Sequence, residues 1–353
     1  MGIITTILLF IVVIAIVVIV HELGHFLAGV LTRTKIFEFN IGMGPKIASV
    51  KKKEIDFNIR AVPIGGSVNF GSQYDSVTEN ELSEELKKDE ENAIYNKSIL
   101  QRLFIFAAGP LMNFVLAILI FIGLFGYYGV PALSVAEVIA GSPAQEAGLR
   151  AGDILVGVNG EKLMYDSSFT NIVGQSAGIS QEIEVLRDNE SMIFNITPEY
   201  DEEANRALIG ILLGSSEVRM GAFSTISFSV KYTFNQIRDT LVAIGGMFRG
   251  TEEVSLSGPI GIAQVSGEAA KQGFDTFLWL IAMISISLGF MNLLPIPILD
   301  GGWILLLLIE GIRKKPLPQN VETGLKLAGL VLIFGVFIFA TYSDIVRLVG
   351  GGV

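Results

Sequence analysis

The two histidines of this 353-residue chain, His21 and His25, stand four residues apart with Glu22 between them, and the chain has no cysteine. On a helix, positions i and i+4 share a face about one turn apart, so the imidazoles of His21-Glu22-Leu23-Gly24-His25 can grip one ion. This H-E-x-x-H spacing is a zinc-binding pattern in which the glutamate handles a water rather than binding the metal. Zinc lowers the pKa of such a water to about 7, and a carboxylate can take its proton as a carbonyl is attacked. With no third histidine and no thiol, the third protein ligand has to be a carboxylate. The competing reading is a chance match, with the histidines satisfied by helix-packing hydrogen bonds. The setting weakens it. Residues Ile3 to Val20 carry no charge, Pro or Gly, so the motif ends an apolar run of membrane length, where ionisable groups are functional candidates by default.

One stretch offers the carboxylate. Asn292-Leu293-Leu294-Pro295-Ile296-Pro297-Ile298-Leu299-Asp300-Gly301-Gly302 precedes the apolar run Trp303 to Ile309. Two prolines and a glycine pair should break a helix at membrane depth, where irregular backbone is tolerated only if protein buries it or it lines a wet cavity. Asp300 is the sole acidic residue between Asp275 and Glu310. Alone it would read as the cap of the following helix. With two histidines in need of a partner, the ligand reading is better.

These residues need elements to hold them. The chain is 51% hydrophobic with mean hydropathy +0.58, and four segments have the roughly 20 residues that a bilayer requires: about 3–26, 103–125, 277–294 and 325–346. The first does not read as a cleaved leader, because it lacks a basic start and its removal would discard the motif. The stretch 31–102 holds eleven Lys and Arg, and Arg313, Lys314 and Lys315 follow the third span, whereas residues 127–272 hold nine across twice the length. Both basic loops are therefore expected to face the cytoplasm, with the termini and the 127–272 region outside. Counting about 1.5 Å per residue from Ile3 puts His21 in the cytoplasmic half of the bilayer. The net charge of −10 argues against a nucleic-acid partner. The acidic stretches Asp75–Glu91 and Glu182–Glu203 read as solvated surface.

Taken together, the chain resembles the site-2 proteases, in the bacterial RseP-like branch of intramembrane metalloproteases. His21-Glu22-Leu23-Gly24-His25 and Leu299-Asp300-Gly301-Gly302 match the family's two defining motifs. Further matches are Ile41-Gly42-Met43-Gly44-Pro45, Ala61-Val62-Pro63-Ile64-Gly65-Gly66, Ala107-Ala108-Gly109-Pro110-Leu111-Met112-Asn113 and Ser257-Gly258-Pro259-Ile260-Gly261. The resemblance implies one zinc ion held by His21, His25 and Asp300, with Glu22 as general base. It also implies transmembrane protein substrates, among them anti-sigma factors and remnant signal peptides. Trp303 departs from relatives that often have histidine there, and is expected to affect packing rather than chemistry.

Ser142 to Leu155 followed by Val158-Asn159-Gly160 resembles a PDZ domain, with glycines and Asn159-Gly160 supplying turns. Such a domain can bind an extended peptide at a sheet edge, or act as a size filter over the active-site mouth. Residues 54–62 alternate polar and apolar like a half-buried strand. Pro63 to Gly66 should turn it back toward Val68 and Phe70, giving a cytoplasmic-side hairpin over 54–70. Its edge could hold an unwound substrate, and Gly65 and Gly66 are candidate contacts there; an ordinary membrane-surface hairpin is the alternative. Phe223 to Phe248 reads as an interfacial amphipathic helix. Asn113 and Asn292 are polar groups in apolar surroundings, where helix-packing bonds are common. Asn292 could instead bond a substrate backbone, with Pro295 and Pro297 beside it as further candidates.

The expected fold class is a polytopic α-helical membrane protein with four transmembrane helices, an inserted extracytoplasmic β-rich PDZ domain and a membrane-associated β-hairpin. Its expected divisions are a first half of the core (1–126), the PDZ domain (127–205), a linker with the amphipathic helix (206–274) and a second half of the core (275–353). The expected function is intramembrane zinc endopeptidase in the plasma membrane, in contact with the lipid bilayer. The alternative is a catalytically silent PDZ scaffold that binds partner proteins, although degenerate relatives usually lose the motif residues retained here. A zinc carrier is disfavoured, since a transporter needs several sites along a path.

Overall fold

The apolar run at Ile3 continues as one helix, α1 (Ile3–Leu31), in a computed structural model that describes residues 2–71, 92–163, 168–188, 190–250, 258–315 and 317–349. The acidic stretch Asp75–Glu91 lies outside the described residues. No Pro or Gly interrupts α1 before Gly24, and its buried side is one stripe at helical spacing: Val13, Val17, His21, Gly24, His25 and Ala28. Ile3, Ile4 and Leu8 on other faces are exposed. The chain divides into two units, Met1–Phe121 with Ser229–Val353, and Ile122–Phe228.

In the first unit α1 is followed by β1 (Glu38–Lys52) and β2 (Ile55–Asn69), which pair antiparallel. The tight turn is Lys53-Glu54, both with positive φ (49° and 65°). This corrects the expected hairpin within 54–70. Pro63 to Gly66 lie inside β2, and β2 pairs with β1 rather than with itself. Glu38 to Ile41 have partners on two sides, Asn69 to Gly66 and Asp56 to Ile59. A period-two pattern marks a strand without naming its neighbours, and the Gly42-Met43-Gly44-Pro45 stretch hid β1. Phe26 of α1 packs edge-on against Phe39 and Phe57, fixing the sheet to the motif helix.

The helix α2 (Ile99–Tyr127) carries Pro110 in its interior. Among the described residues, four helices are long and apolar enough to cross a membrane: α1, α2, Phe274–Leu293 and Asn320–Val349. Later elements are α5 (Ala222–Arg249), α6 (Pro259–Gln272), α7 (Phe274–Leu293), α8 (Asp300–Arg313) and α9 (Gln319–Val349). The expected amphipathic segment is α5. The helix α6 was not foreseen, since its mixed sequence has no strong apolar face. Its first amides find partners across the fold: Gly258 N–H and Gly261 N–H donate to the Asp344 carboxylate of α9 at 3.1 and 2.9 Å. Val13 and Val17 pack with Ala269 of α6 and Phe277, Leu280 and Ile281 of α7. On α9, Leu327, Val331, Phe334 and Ile338 form an exposed apolar stripe, the inverse of a soluble helix.

The second unit is β-rich. Strands β3 (Val130–Val138), β4 (Ile154–Val158), β5 (Glu161–Lys162), β6 (Gln181–Arg187), β7 (Glu190–Ile196) and β10 (Ile211–Val218) make a sheet of order β10-β3-β4-β6-β7, with β5 on β4. A separate pair joins β8 (Glu199–Asp201) and β9 (Arg206–Leu208). Helices α3 (Pro143–Ala147) and α4 (Ser168–Gly174) complete the unit. The β-rich region extends past the expected end at 205, because β10 pairs along the whole of β3, from Ile211 opposite Val138 to Val218 opposite Val130. Val135, Leu155, Ile183, Val185 and Ile196 close its core.

Candidate metal centre

The buried stripe of α1 carries His21 and His25 inward, each 7% exposed. Asp300, the first residue of α8, reaches them from the other end of the sequence. His21 Nε2 lies 3.2 Å from His25 Nε2 and 3.1 Å from Asp300 Oδ2, and His25 Nε2 lies 3.4 Å from Asp300 Oδ1. A tetrahedral ion with ligands at about 2.0–2.1 Å has ligand–ligand edges of about 3.3 Å, so these atoms have the spacing of one zinc face. Two imidazole nitrogens and a carboxylate converging so closely suit a cation, and His21, His25 and Asp300 can hold one.

Small residues permit the convergence. A Cβ on Gly24 would sit 2.3 Å from the Ala108 carbonyl oxygen of α2, and one on Gly109 would sit 2.3 Å from His25 Nε2 and 2.9 Å from His21 Cε1. The two helices therefore cross glycine to glycine, with α2 backing the imidazoles. His25 is also oriented: its Nδ1–H donates to the Ile105 carbonyl at 2.8 Å, leaving Nε2 as the ligand atom. Around His21, the Asn113 amide nitrogen is 3.3 Å from Nδ1, and the Asn292 amide nitrogen is 3.5 Å from both ring nitrogens.

Glu22 projects toward the sheet. A Cβ on Gly66 of β2 would lie 2.7 Å from Glu22 Cγ. Gly65 and Gly66 line the same cavity as Glu22, Asn292 and the three possible ligands, with a volume near 550 Å³.

Between α7 and α8 the helix breaks over 294–299, where Leu294 is extended ahead of Pro295. The glycine pair does not break the helix, as the sequence suggested; it lies in the first turn of α8. A Cβ on Gly301 would meet the Leu293 and Leu294 carbonyl oxygens at 2.2 and 2.3 Å, and one on Gly302 the Ile296 oxygen at 2.3 Å. The pair lets α8 begin directly against the backbone of the break, which places Asp300. Pro295 and Pro297 are not among the cavity-lining residues, whereas Ile298 and Leu299 are. Pro297 packs instead on α9, where its carbonyl would clash with any Cβ on Gly329. Ile298 has φ 93°, a strained backbone for a β-branched residue. Trp303 stacks on Phe106 with centroids 5.4 Å apart and lies under Lys326 Nζ at 4.4 Å, a packing role.

Sequence reasoning gave no role to Gly24 or Gly109 and took Asn113 for a packing residue. The available signal was the matched stretch Ala107 to Asn113, which holds two of the three.

Residues 9–336 match the family model for peptidase family M50. A Clostridium perfringens protein named as a zinc metalloprotease is 33% identical over 335 residues, covering 93% of this chain and 95% of that one. Metalloprotease MmpA of Caulobacter vibrioides is 32% identical, covering 95% and 94%. Regulator of sigma-W protease RasP of Bacillus subtilis is 29% identical, covering 98% and 99%. Among solved structures, the PDZ domain of an SdrC-like protein from Listeria monocytogenes is similar to 25% of this chain, over 88% of its own length, at 22% identity and TM-score 0.22. The chain belongs to peptidase family M50, the site-2 metalloprotease family that its motifs resemble.

Proposed function

We propose that this chain is an intramembrane zinc endopeptidase that hydrolyses a peptide bond within a transmembrane segment of a single-span membrane protein. The observation that carries this reading is the convergence of His21, His25 and Asp300 at 3.1–3.4 Å, with both histidines on a helix of membrane length and Glu22 in the same cavity. A zinc ion bound there supplies a Lewis acid and a nucleophile available at neutral pH. Glu22 is the general base: its carboxylate takes a proton from the attacking water and passes it to the departing amine.

Asn292 is the substrate contact best supported by position. It lines the cavity with its amide nitrogen 3.5 Å from both His21 ring nitrogens, within reach of a peptide carbonyl held beside the histidines. Gly65 and Gly66 on β2 give an extended peptide room beside Glu22, and Pro295 and Pro297 shape the break that holds Asp300. Loop charges favour a plasma-membrane protein with the metal in the cytoplasmic half of the bilayer. They also favour an extracytoplasmic side for the β-rich unit, whose Ser142–Leu155 and Asn159-Gly160 pattern supports a PDZ type that binds extended peptides or screens bulky ones. That a relative is named a regulator of sigma-W protease supports regulatory membrane proteins, such as anti-sigma factors, among the substrates; remnant signal peptides are a second class.

The test is Glu22→Gln in detergent-solubilised protein with a model transmembrane substrate. Cleavage should fall by about 10²–10⁴-fold with zinc content unchanged. Retained proteolysis would refute the mechanism.

A further inference from the structure

Asn113 is wholly buried on α2. Its place is fixed from α7, where Ser285 Oγ donates to the Asn113 carbonyl at 2.8 Å and a Cβ on Gly289 would lie 3.2 Å from Asn113 Cβ. The amide thus points at His21 from a pinned backbone. Its nitrogen is 3.3 Å from His21 Nδ1, while its buried oxygen Oδ1 has no hydrogen-bond partner.

The tautomer of His21 decides which amide atom belongs there. Nε2 is the atom turned toward His25 and Asp300, so a metal-binding His21 keeps its Nε2 lone pair and carries its proton on Nδ1. Nδ1–H is a donor, and an amide nitrogen opposite it would set donor against donor. Rotating the amide by half a turn exchanges its near-isosteric ends without moving the backbone. The oxygen then accepts from Nδ1–H and gains the partner it lacks. His25 already has the equivalent arrangement, with Nδ1–H bonded to the Ile105 carbonyl. Asn113 is the nearer of the two amides to Nδ1, at 3.3 Å against 3.5 Å for Asn292, and only Asn113 is wholly buried.

We propose that Asn113 is a positioning residue whose amide oxygen accepts the Nδ1–H of His21, fixing the tautomer and ring angle that direct Nε2 to the metal. This rests on the zinc reading above.

The experiment compares full-length parent, Asn113→Leu and Asn113→Asp, measuring zinc retention against graded chelator and the visible absorption of the Co²⁺-substituted protein. Asn113→Leu removes the acceptor at similar volume and should lose about 10–100-fold in zinc affinity, with an altered cobalt spectrum. An ionised Asp accepts but cannot donate, so Asn113→Asp should keep the parent's affinity and spectrum. Parental affinity in Asn113→Leu would overturn the inference, as would zinc loss in Asn113→Asp equal to that in Asn113→Leu. If Asn113→Leu does not fold, the Asp variant decides alone. A parent protein that binds no zinc would overturn the metal reading itself, and this inference with it, whereas zinc in the parent and equally in Asn113→Leu sinks only the role of Asn113.

Discussion

Each unit buries charge, and the two treat it differently. In the β-rich unit Asp153 is 1% exposed and accepts from Arg187 Nε at 2.6 Å, from Arg187 Nη2 at 2.7 Å and from the Arg150 backbone N–H at 2.8 Å. Burial pushes this carboxyl up, but the Arg187 and Arg150 hydrogen bonds outweigh it and hold Asp153 below the usual carboxylate range. Chain cation answers chain anion, and nothing is left over. In the helical unit His21, Glu22, His25 and Asp300 share one cavity. Its arginine, Arg102, is engaged by Glu310, with Nη1–Oε2 at 3.2 Å. A satisfied buried pair holds a fold; a concentration of ligand atoms left for an outside cation does chemistry.

The sharpest way to break that comparison is to remove the third proposed ligand. Asp300→Ala should lower zinc affinity by more than about 100-fold, read as metal content of purified protein, with proteolysis lost alongside. Unchanged stoichiometry would point to a different carboxylate. Gly109→Ala comes next. Its methyl would sit within van der Waals distance of both imidazoles, and a displacement of about 1 Å at reacting groups costs roughly 10²-fold in rate. Circular dichroism should show the helices intact. Gly66→Ala separates base from metal: it presses on Glu22 Cγ, so kcat should fall about tenfold, a modest share of a general base's contribution, while zinc content stays at the parent level. Loss of zinc in Gly66→Ala would show that β2 supports the ligands too.

The smallest effect on cleavage belongs to the other unit. Asp153→Ala removes the carboxylate that Arg187 and the Arg150 amide bond and should destabilise the β-rich unit by about 1.5–3 kcal/mol, measured by hydrogen exchange of β4 and β6 amides, with zinc content unchanged. The same pair fixes a pH dependence. Because the folded pKa of Asp153 lies below its unfolded value, its stabilisation is fully present above about pH 4 and is lost as pH falls through the lower folded value. Amide protection in β4 and β6 that weakens instead as pH rises above 4 would contradict this sign.

The metal cluster was legible in the sequence because scarcity did the sorting: two histidines, no cysteine, and one acidic residue in the right apolar stretch. The four membrane-length helices were legible from apolar runs alone. What stayed hidden depends on which backbone meets which. The path of β1 was masked by Gly42, Met43, Gly44 and Pro45, and its double set of partners is a matter of register rather than composition. Gly301 and Gly302 read as helix breakers because their local propensity is poor, yet close carbonyls of the preceding segment require them inside α8. Gly24 and Gly109 are 85 positions apart, and only the crossing of α1 and α2 joins them. Strand β10 was assigned to a linker because its pairing with β3 spans most of the unit.

His25 and Asp300 are separated by 275 positions in the chain. At about 5–20 residues per second, a ribosome takes roughly 15–55 s to cover that gap. During that interval the nascent chain carries His21 and His25 on α1 without Asp300 to complete the cluster. On the proposed reading, the metal centre stays incomplete while the earlier helices are being inserted, and is completed only when α8 arrives.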